Sequence, residues 1–458
     1  MKKILFITLA VILALGVGLV GCAPAEEEEE EPEPSDTIVI GVSWSETGPL
    51  KDVHDFAFGP LLSTYLDEHP TIKVGNTDFP VELDARDDAS SVANMIDNTE
   101  AIIANIETGE AHFLFGPTCT AFLEAQAPIC AEAHVVQMTA EGGATSLIPQ
   151  MGEYEYTFVN LSFSDWFELP VFAKLIAEAH EEAFPGTTPH AYIGYQNDDH
   201  GLEYSGVAQT YFPQEGIVID GLYPMDSGDT AANGELIAAA AAANDGAGSD
   251  ILCVFAYPEH VFGTCAVAQA LGYDPKALIV GPGGCFGVYG MVIAADLAEG
   301  VMTFAVANDK TSPAMEELFN DILVPAVGAP SVDFWGHPCY WAALEMWEES
   351  VKNVGEVLAS GFVINQDDYR DYLRTTKFTT VFGETWYVDG PDLNWPVPDA
   401  TGGLLNYQCH TGEIGQWQSG WVEIVGYEGI GTASDPYELA NYVVTEDFIY
   451  PKPAWPTP

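Results

Sequence analysis

The sequence is poor in basic residues. It has 13 lysines and arginines against 69 aspartates and glutamates, which gives a formal net charge of −56 at pH 7. A surface of this sign repels nucleic-acid phosphates and anionic lipid headgroups, so nucleic-acid binding is excluded as a function. Arginine, which clamps anionic groups with paired hydrogen bonds, occurs only as Arg86, Arg370 and Arg374. A strongly anionic ligand is therefore not expected.

The sequence also lacks the short motifs of common catalytic and metal sites. It contains no Gly-x-Ser-x-Gly, no His-Glu-x-x-His, no phosphate-binding loop ending in Gly-Lys-Ser/Thr and no Cys-x-x-Cys pair. Residues 281–287 only partly match a dinucleotide loop, because the third glycine comes one residue late. We therefore predict no catalytic residue, no metal site and no cofactor. An exported enzyme, with Cys285 as a nucleophile, is the alternative from a different class.

The first 21 residues are typical of an export signal. Lys2 and Lys3 precede an uncharged apolar run over residues 4–20, which is short for a membrane-spanning helix. The small residues before Cys22 resemble the lipobox of bacterial lipoproteins, which implies cleavage there and a lipid on the Cys22 sulfur. A lipid at one end would hold the protein at a membrane surface. An uncleaved membrane anchor is the alternative.

An acidic tether is predicted over residues 22–36. Residues 26–31 are consecutive glutamates, and prolines follow at positions 32 and 34. Like charges repel one another and proline blocks a helix, so this segment should be extended and solvated. It would hold the folded part of the protein away from the lipid, in the periplasm or at the cell surface.

The rest of the chain alternates apolar strands with helical stretches. Strands are predicted at 37–42, 81–85, 113–115, 135–136, 191–194, 217–219, 251–255 and 278–280, with helices between them. This alternation predicts an α/β fold with parallel sheets. It comes in two series, 37–159 and 160–302, which predict two similar Rossmann-like lobes. We assign residues 303–381 to the first lobe and residues 382–458 to the second.

Several turns between strand and helix are candidate binding sites, because open α/β sheets bind ligands at the carboxyl ends of their strands. These turns lie at residues 116–120, 139–145, 197–201, 256–259 and 281–284. The first two combine hydroxyls with glycine and other small residues. Free amides and hydroxyls bind carboxylate or carbonyl oxygens, and glycine lets the backbone approach a ligand. The alternative for each turn is an ordinary helix cap.

Together these turns resemble the leucine/isoleucine/valine-binding protein family, which has the type I periplasmic-binding fold with a multi-strand hinge. The resemblance spans about residues 37 to 430 and includes Thr47-Gly48-Pro49 after the first strand. It implies an extracytoplasmic receptor that closes on a small molecule and delivers it to an ABC permease. The ligand-binding residues it implies are Cys119, Thr120, Gly143, Ala144, Thr145, His200, Tyr257 and Gly283.

The resemblance also implies roles for these residues. Thr120 lies where a family hydroxyl holds the ligand carboxylate, and residues 143–145 look like the turn that binds the ligand's α-groups. His200 takes the place of an aromatic residue that precedes glycine. Tyr257 begins a Tyr-Pro-Glu turn whose tyrosine covers the ligand. Chain crossings near residues 160, 303 and 382 would act as the hinge.

Gly283 departs from the family pattern. Amino-acid binders carry a glutamate there, which pairs with the ligand ammonium. An unpaired ammonium in a closed cleft would cost several kcal/mol. We therefore expect a branched-chain amino acid-like compound, an amide or an aromatic compound without strong charge, unless Glu141 or Glu259 supplies the missing carboxylate. A monomer is expected, and a ligand-sensing receptor of the same fold is the alternative function.

Overall fold

The computed structural model describes residues 35–117, 119–139, 154–159, 164–359, 361–386, 413–425 and 447–456, with the backbone alone at 164–168, 384, 386 and 413. The strands are β1 Ile38–Trp44, β2 Thr71–Val74, β3 Thr77–Asp87, β4 Phe113–Phe115, β5 Gln137–Thr139, β6 Thr157–Val159, β7 His190–Gln196, β8 Val218–Met225, β9 Ile251–Phe255, β10 Ala277–Gly281, β11 Met302–Ala305, β12 Glu356–Leu358, β13 Gly361–Val363, β14 Lys377–Thr380, β15 Gly383–Trp386, β16 Glu413–Gln418 and β17 Trp421–Ile424.

The α-helices are α1 Lys51–Val53, α2 Gly59–Glu68, α3 Val92–Thr108, α4 Thr120–Glu132, α5 Ser164–Ala183, α6 Asp199–Tyr211, α7 Ala232–Gly246, α8 Pro258–Val261, α9 Thr264–Ala270, α10 Pro313–Glu316, α11 Val324–Val327, α12 Gly336–Val354 and α13 Gln366–Thr375. Short π-helical turns lie at His54–Phe58, Tyr289–Ile293 and Glu317–Leu323, and 3₁₀ turns at Phe212–Glu215 and Ala329–Ser331. Among the described residues, no helix combines the length and apolarity needed to span a membrane.

The first sheet has the strand order β2-β3-β1-β4-β5-β6. β1 pairs in parallel with β3 and β4, and β5 and β6 continue the parallel ladder. Nearly every residue of β1 is buried, as expected for a central parallel strand covered on both faces. β2 is an antiparallel edge strand joined to β3 by a tight turn, in which Gly75 has φ +59°.

The second sheet has the strand order β17-β16-β11-β10-β9-β7-β8. The strands from β7 to β11 are parallel, while β16 pairs antiparallel to β11 and β17 to β16. β9 and β10 are wholly buried. Two parallel-dominated sheets, each with its own helices, confirm the predicted α/β fold class with two Rossmann-like lobes.

The chain passes between the lobes more than once. It leaves the first sheet after β6 and enters the second through α5 and β7. Thr303 lies inside β11, where it pairs with Val280 and Gly415 in the second sheet. Beyond β11 the chain returns to the first lobe, where α12 packs on α2 and β2. Phe382 lies in the tight turn between β14 and β15, which form a hairpin.

Candidate functional site

Helices that follow strands of the two sheets contact each other between the lobes. α4, which follows β4 in the first lobe, contacts α6, which follows β7 in the second. α1 contacts α8 in the same way. Each of these helices begins at the carboxyl end of a strand or shortly after it, which is the edge where α/β sheets bind ligands.

Tyr257 bridges the cleft from the second lobe. It is the N-cap of α8, two residues after β9 ends, and its extended backbone (φ −68°, ψ 166°) turns the side chain toward the first lobe. Its ring is buried in a cluster with four first-lobe side chains, Leu50, Met95, Cys119 and Phe122. Tyr257 therefore packs against the first lobe, and its predicted contact with a ligand stays a prediction.

The Tyr257 hydroxyl has hydrogen-bond partners in both lobes. Burial raises the pKa of Tyr257 well above its ordinary value, and the hydroxyl contacts the Cys119 thiol and the Asp198 carboxylate. Asp198 is also the N-cap of α6, where its Oδ1 accepts a hydrogen bond from the Gly201 amide at 3.0 Å. These contacts keep the phenol protonated and fix its direction.

His200 stacks against Tyr257. The two rings are 5.7 Å apart and nearly parallel, at 7°. The Tyr204 ring also contacts the imidazole, with 4.6 Å between the ring centres. Burial lowers the pKa of His200, so the ring is neutral, and its Nε2 has no hydrogen-bond partner among the described residues. His200 and Tyr257 thus form one aromatic wall.

Cys119 and Thr120 form the start of α4. Cys119 is the N-cap, and its carbonyl accepts hydrogen bonds from the amides of Phe122 and Leu123 at 3.1 and 3.0 Å. Thr120 is the first helical residue and is buried. The preceding Gly116 has φ +112°, and a Cβ there would lie 2.9 Å from the carbonyl oxygen of Ser43, so only glycine fits against β1.

Gly283 lies next to the Tyr257 turn and has a backbone conformation that other residues rarely adopt. Its φ is +101°, and a Cβ would lie 3.0 Å from Cγ and 3.2 Å from Cα of Pro258. A larger residue would meet backbone strain and this proline together.

Glu259 and Glu141 are the two side chains that could supply the carboxylate missing at position 283. Glu259 Oε2 accepts a hydrogen bond from the Gly228 amide at 3.1 Å, so this carboxylate is held by a second-lobe loop. Glu141 lies outside the described residues, as do Gly143, Ala144, Thr145 and Cys22. The roles assigned to residues 143–145 and to Cys22 stay predictions.

The three arginines interact with partners away from the strand ends described above. Arg86 pairs with Asp84 at 2.6 Å. Arg370 donates a hydrogen bond to the Tyr156 hydroxyl at 2.6 Å, and Arg374 donates to the Glu155 carbonyl at 2.6 Å. In the described part of the chain, no group of three or more His, Cys, Asp or Glu side chains is arranged to hold a metal ion.

Sequence reasoning missed a second aromatic contact between the lobes. Phe56, in the π-helical turn of the first lobe, lies 6.3 Å from Phe262 and 6.1 Å from Phe286, both in the second lobe. In the sequence, the only indication of a role for Phe56 is that it lies a few residues after the Thr47-Gly48-Pro49 turn.

A small cavity lies behind the site, at the carboxyl ends of β1 and β4. Its interior has room for about one water molecule. Its lining residues are Ser43, Trp44, Val53, His54, Phe58, Pro117 and Tyr340. Trp44 is buried, with its ring 4.7 Å from that of His54.

Solved structures of binding proteins have the same fold. An extracellular ligand-binding receptor from Rhodopseudomonas palustris matches with a TM-score of 0.65 and 17% identity, covering 85% of this chain and 99% of that one. An ABC-transporter solute binding protein from the same species, in complex with 3,4-dihydroxy benzoic acid, matches with a TM-score of 0.62 and 15% identity over 86% and 97%. A branched-chain amino acid transporter substrate binding protein from Streptococcus pneumoniae, in complex with isoleucine, matches with a TM-score of 0.62 and 14% identity over 85% and 99%.

These likenesses confirm the type I periplasmic-binding fold that the sequence motifs predicted. No protein-family model matches the sequence, and no curated protein matches it.

Proposed function

We propose that the protein is an extracytoplasmic solute-binding lipoprotein of the leucine/isoleucine/valine-binding type. It closes two lobes around a small molecule and delivers it to an ABC permease. The observation that carries this proposal is the burial of Tyr257 from the second lobe among Leu50, Met95, Cys119 and Phe122 of the first. These apolar surfaces would be exposed in an open form, so closing the lobes buries them and stabilises the closed form.

The ligand is a compound of modest charge with apolar or ring surface. Gly283 offers no carboxylate to a ligand ammonium, and the described arginines are paired elsewhere. The faces of His200 and Tyr257 supply an aromatic wall, while the α4 amides and the Thr120 hydroxyl supply polar contacts. An amide, an aromatic compound or a branched-chain amino acid-like compound fits this combination. The neighbours with bound isoleucine and dihydroxybenzoic acid support this range.

Lipid attachment at Cys22 would place the protein on the outer side of a cell membrane, with residues 22–36 as the tether. A monomer satisfies this function, because one chain supplies both walls of the cleft. A sensory receptor would use the same cleft, and the partner that recognises the closed form separates the two functions.

A thermal-shift screen of amino acids, amides, aromatic acids and polyols tests the proposal. A solute that raises the melting temperature should then bind one-to-one in calorimetry and be recovered unchanged, since a receptor does not turn its ligand over. Conversion of the bound compound would instead favour the exported enzyme.

A further inference from the structure

A short segment before α12 is hydrogen-bonded to the loop that follows the Gly283 turn. Residues 332–334 lie antiparallel to residues 285–287 of the second lobe, with Phe286 opposite Asp333. Backbone hydrogen bonds of 2.7 and 3.2 Å flank this pair on its two sides. The segment is therefore attached to the second lobe through its backbone, next to the candidate binding site.

His337 connects the same segment to the first lobe. Its Nδ1 accepts a hydrogen bond from the Asp333 amide at 3.1 Å, and its Nε2 donates one to the Ala57 carbonyl at 2.9 Å. Ala57 lies in the π-helical turn of the first lobe, beside Phe56. Burial lowers the pKa of His337 to about 4, so the ring is neutral, with one nitrogen that accepts and one that donates. The imidazole therefore makes both bonds at once.

The Asp333 side chain fixes the direction in which α12 leaves the segment. Its two carboxyl oxygens accept hydrogen bonds from the Trp335 and Gly336 amides, each at 2.9 Å. These amides lie at the start of α12, where backbone donors lack partners within the helix. Asp333 and His337 are both fully buried. The carboxyl group and the imidazole thus hold the bridge and the helix in one arrangement.

A contact between aromatic rings completes this connection. The Phe56 ring lies 6.1 Å from that of Phe286, so the turn bound by His337 also touches the loop bridged to residues 332–334. Around Tyr257, by contrast, the lobes meet through apolar side chains. Apolar packing has no preferred direction and can separate and form again, whereas the bridge opens only when several aligned hydrogen bonds break together.

We propose that residues 332–337 form a fixed joint between the lobes, so that the lobes separate at the Tyr257 contact while the Phe56–Phe286 contact stays intact. Asp333 and His337 are the positioning residues of this joint. The inference rests on the proposed function, which requires lobes that open and close, and it adds the place about which they move.

Native-state labelling of thiols in the ligand-free protein reports where the lobes open. Three buried cysteines are the reporters: Cys119 in the Tyr257 cluster, Cys285 in the joint and Cys253 within β9. Cys119 should react at least about tenfold faster than Cys285, because opening at Tyr257 exposes only the first of these thiols. Peptide mass spectrometry resolves the three rates. A Cys119 rate no higher than the Cys285 rate would overturn the inference.

Variants of the joint test the two positioning residues. His337→Phe removes both imidazole hydrogen bonds but keeps a ring, and it should raise the labelling rate of Cys285 relative to Cys253 by about fivefold, the factor that one ordinary hydrogen bond supplies. Gly336→Ala should act in the same direction, because a Cβ there would lie 2.4 Å from the carboxyl oxygen that caps α12. Glu348→Gln, further along α12, is the control for a general loss of stability and should leave this ratio unchanged.

An unchanged ratio in both joint variants, or an equal rise in Glu348→Gln, would overturn the inference. The parent decides the case if a joint variant does not fold. Its Gly287 and Phe334 amides should exchange hydrogen about a thousandfold more slowly than in an unstructured peptide, and fast exchange there would contradict a fixed joint. No solute is present in these measurements, so the proposed function fails separately, in the thermal-shift screen.

Discussion

Tyr257 and Cys119 come from different lobes, yet the tyrosine hydroxyl contacts the cysteine thiol. Cys119 caps the helix that follows β4, and Tyr257 caps the helix that follows β9. The two caps therefore occupy equivalent places in the two Rossmann-like lobes. The equivalent strand ends of the two sheets therefore lie close together.

Removing the Tyr257 ring should weaken closure and solute binding without unfolding either lobe. Tyr257→Ala deletes the ring that packs on Leu50, Met95 and Phe122. We expect affinity for a solute found by screening to fall at least tenfold, because the cleft loses its cover. Calorimetry measures this loss. Tyr223→Ala, on the edge strand β8, is the control and should bind normally, and equal affinity in both variants would remove Tyr257 from the site.

Tyr257→Phe separates packing from hydrogen bonding. The phenylalanine keeps the apolar contacts but loses the hydroxyl that contacts Asp198 and Cys119. We expect an effect on affinity of about 1 kcal/mol, smaller than that of the alanine variant. A phenylalanine variant as weak as the alanine variant would mean that the hydroxyl, and not the ring, carries the contact.

Replacing Gly283 by a residue with a side chain should lower the free energy of unfolding. Gly283→Ala meets both a positive φ and Pro258, so the free energy of unfolding should fall by about 2–3 kcal/mol. Gly186 has φ +76° with open space around a Cβ, so Gly186→Ala carries only the backbone cost of about 1–2 kcal/mol. Denaturant unfolding of the two variants compares them. A more stable Gly283→Ala would show that the turn can rearrange to accept a side chain.

The Glu348 network should make stability fall in acid. Hydrogen bonds from His69, Lys352 and Tyr65 outweigh the effect of burial and lower the pKa of Glu348 to about 2. A lowered carboxyl pKa stabilises the fold above the ordinary pKa, and that stability is lost as the pH falls from about 4.5 toward 2.

Glu348→Gln should therefore lose about 2 kcal/mol at pH 7 relative to the parent, a difference that shrinks toward pH 3. Unfolding curves across this range measure it. Glu349→Gln, the neighbouring position, is the matched control. A Glu348→Gln deficit that stays constant with pH would contradict the assignment.

Cys22 should attach the protein to membranes. Cys22→Ser removes the sulfur to which the lipid would be joined, so the variant should appear in the soluble fraction of the producing cells, while Cys119→Ser should stay with the membrane. Mass spectrometry of the N-terminus gives a direct check. Equal membrane association of both variants would favour an uncleaved apolar anchor over a lipid.

The sequence predicted the fold from its most buried strands. β9 and β10 are continuous apolar runs, and their alternation with helices was sufficient to predict parallel sheets. β2 was missed because an edge strand has only two buried residues, Ile72 and Val74. The order of the strands around β11 could not be predicted from the sequence either, because its partner β16 lies more than a hundred residues further along the chain.

The candidate site was only partly predictable. The sequence could place Tyr257, His200 and Cys119 at the ends of strands, because each comes two to four residues after a strand. Phe56 lies in a π-helical turn further along the chain, and its ring partners come from the opposite lobe. Such contacts depend on how the two lobes meet, which no local pattern encodes.

A crystal structure of the protein soaked with the solute selected by thermal shift tests the central claim most directly. We predict electron density for the solute between the lobes, touching Tyr257 and His200 on one side and the start of α4 on the other. Density at any other place, or lobes that keep the same separation with and without the solute, would contradict a receptor that works by closing.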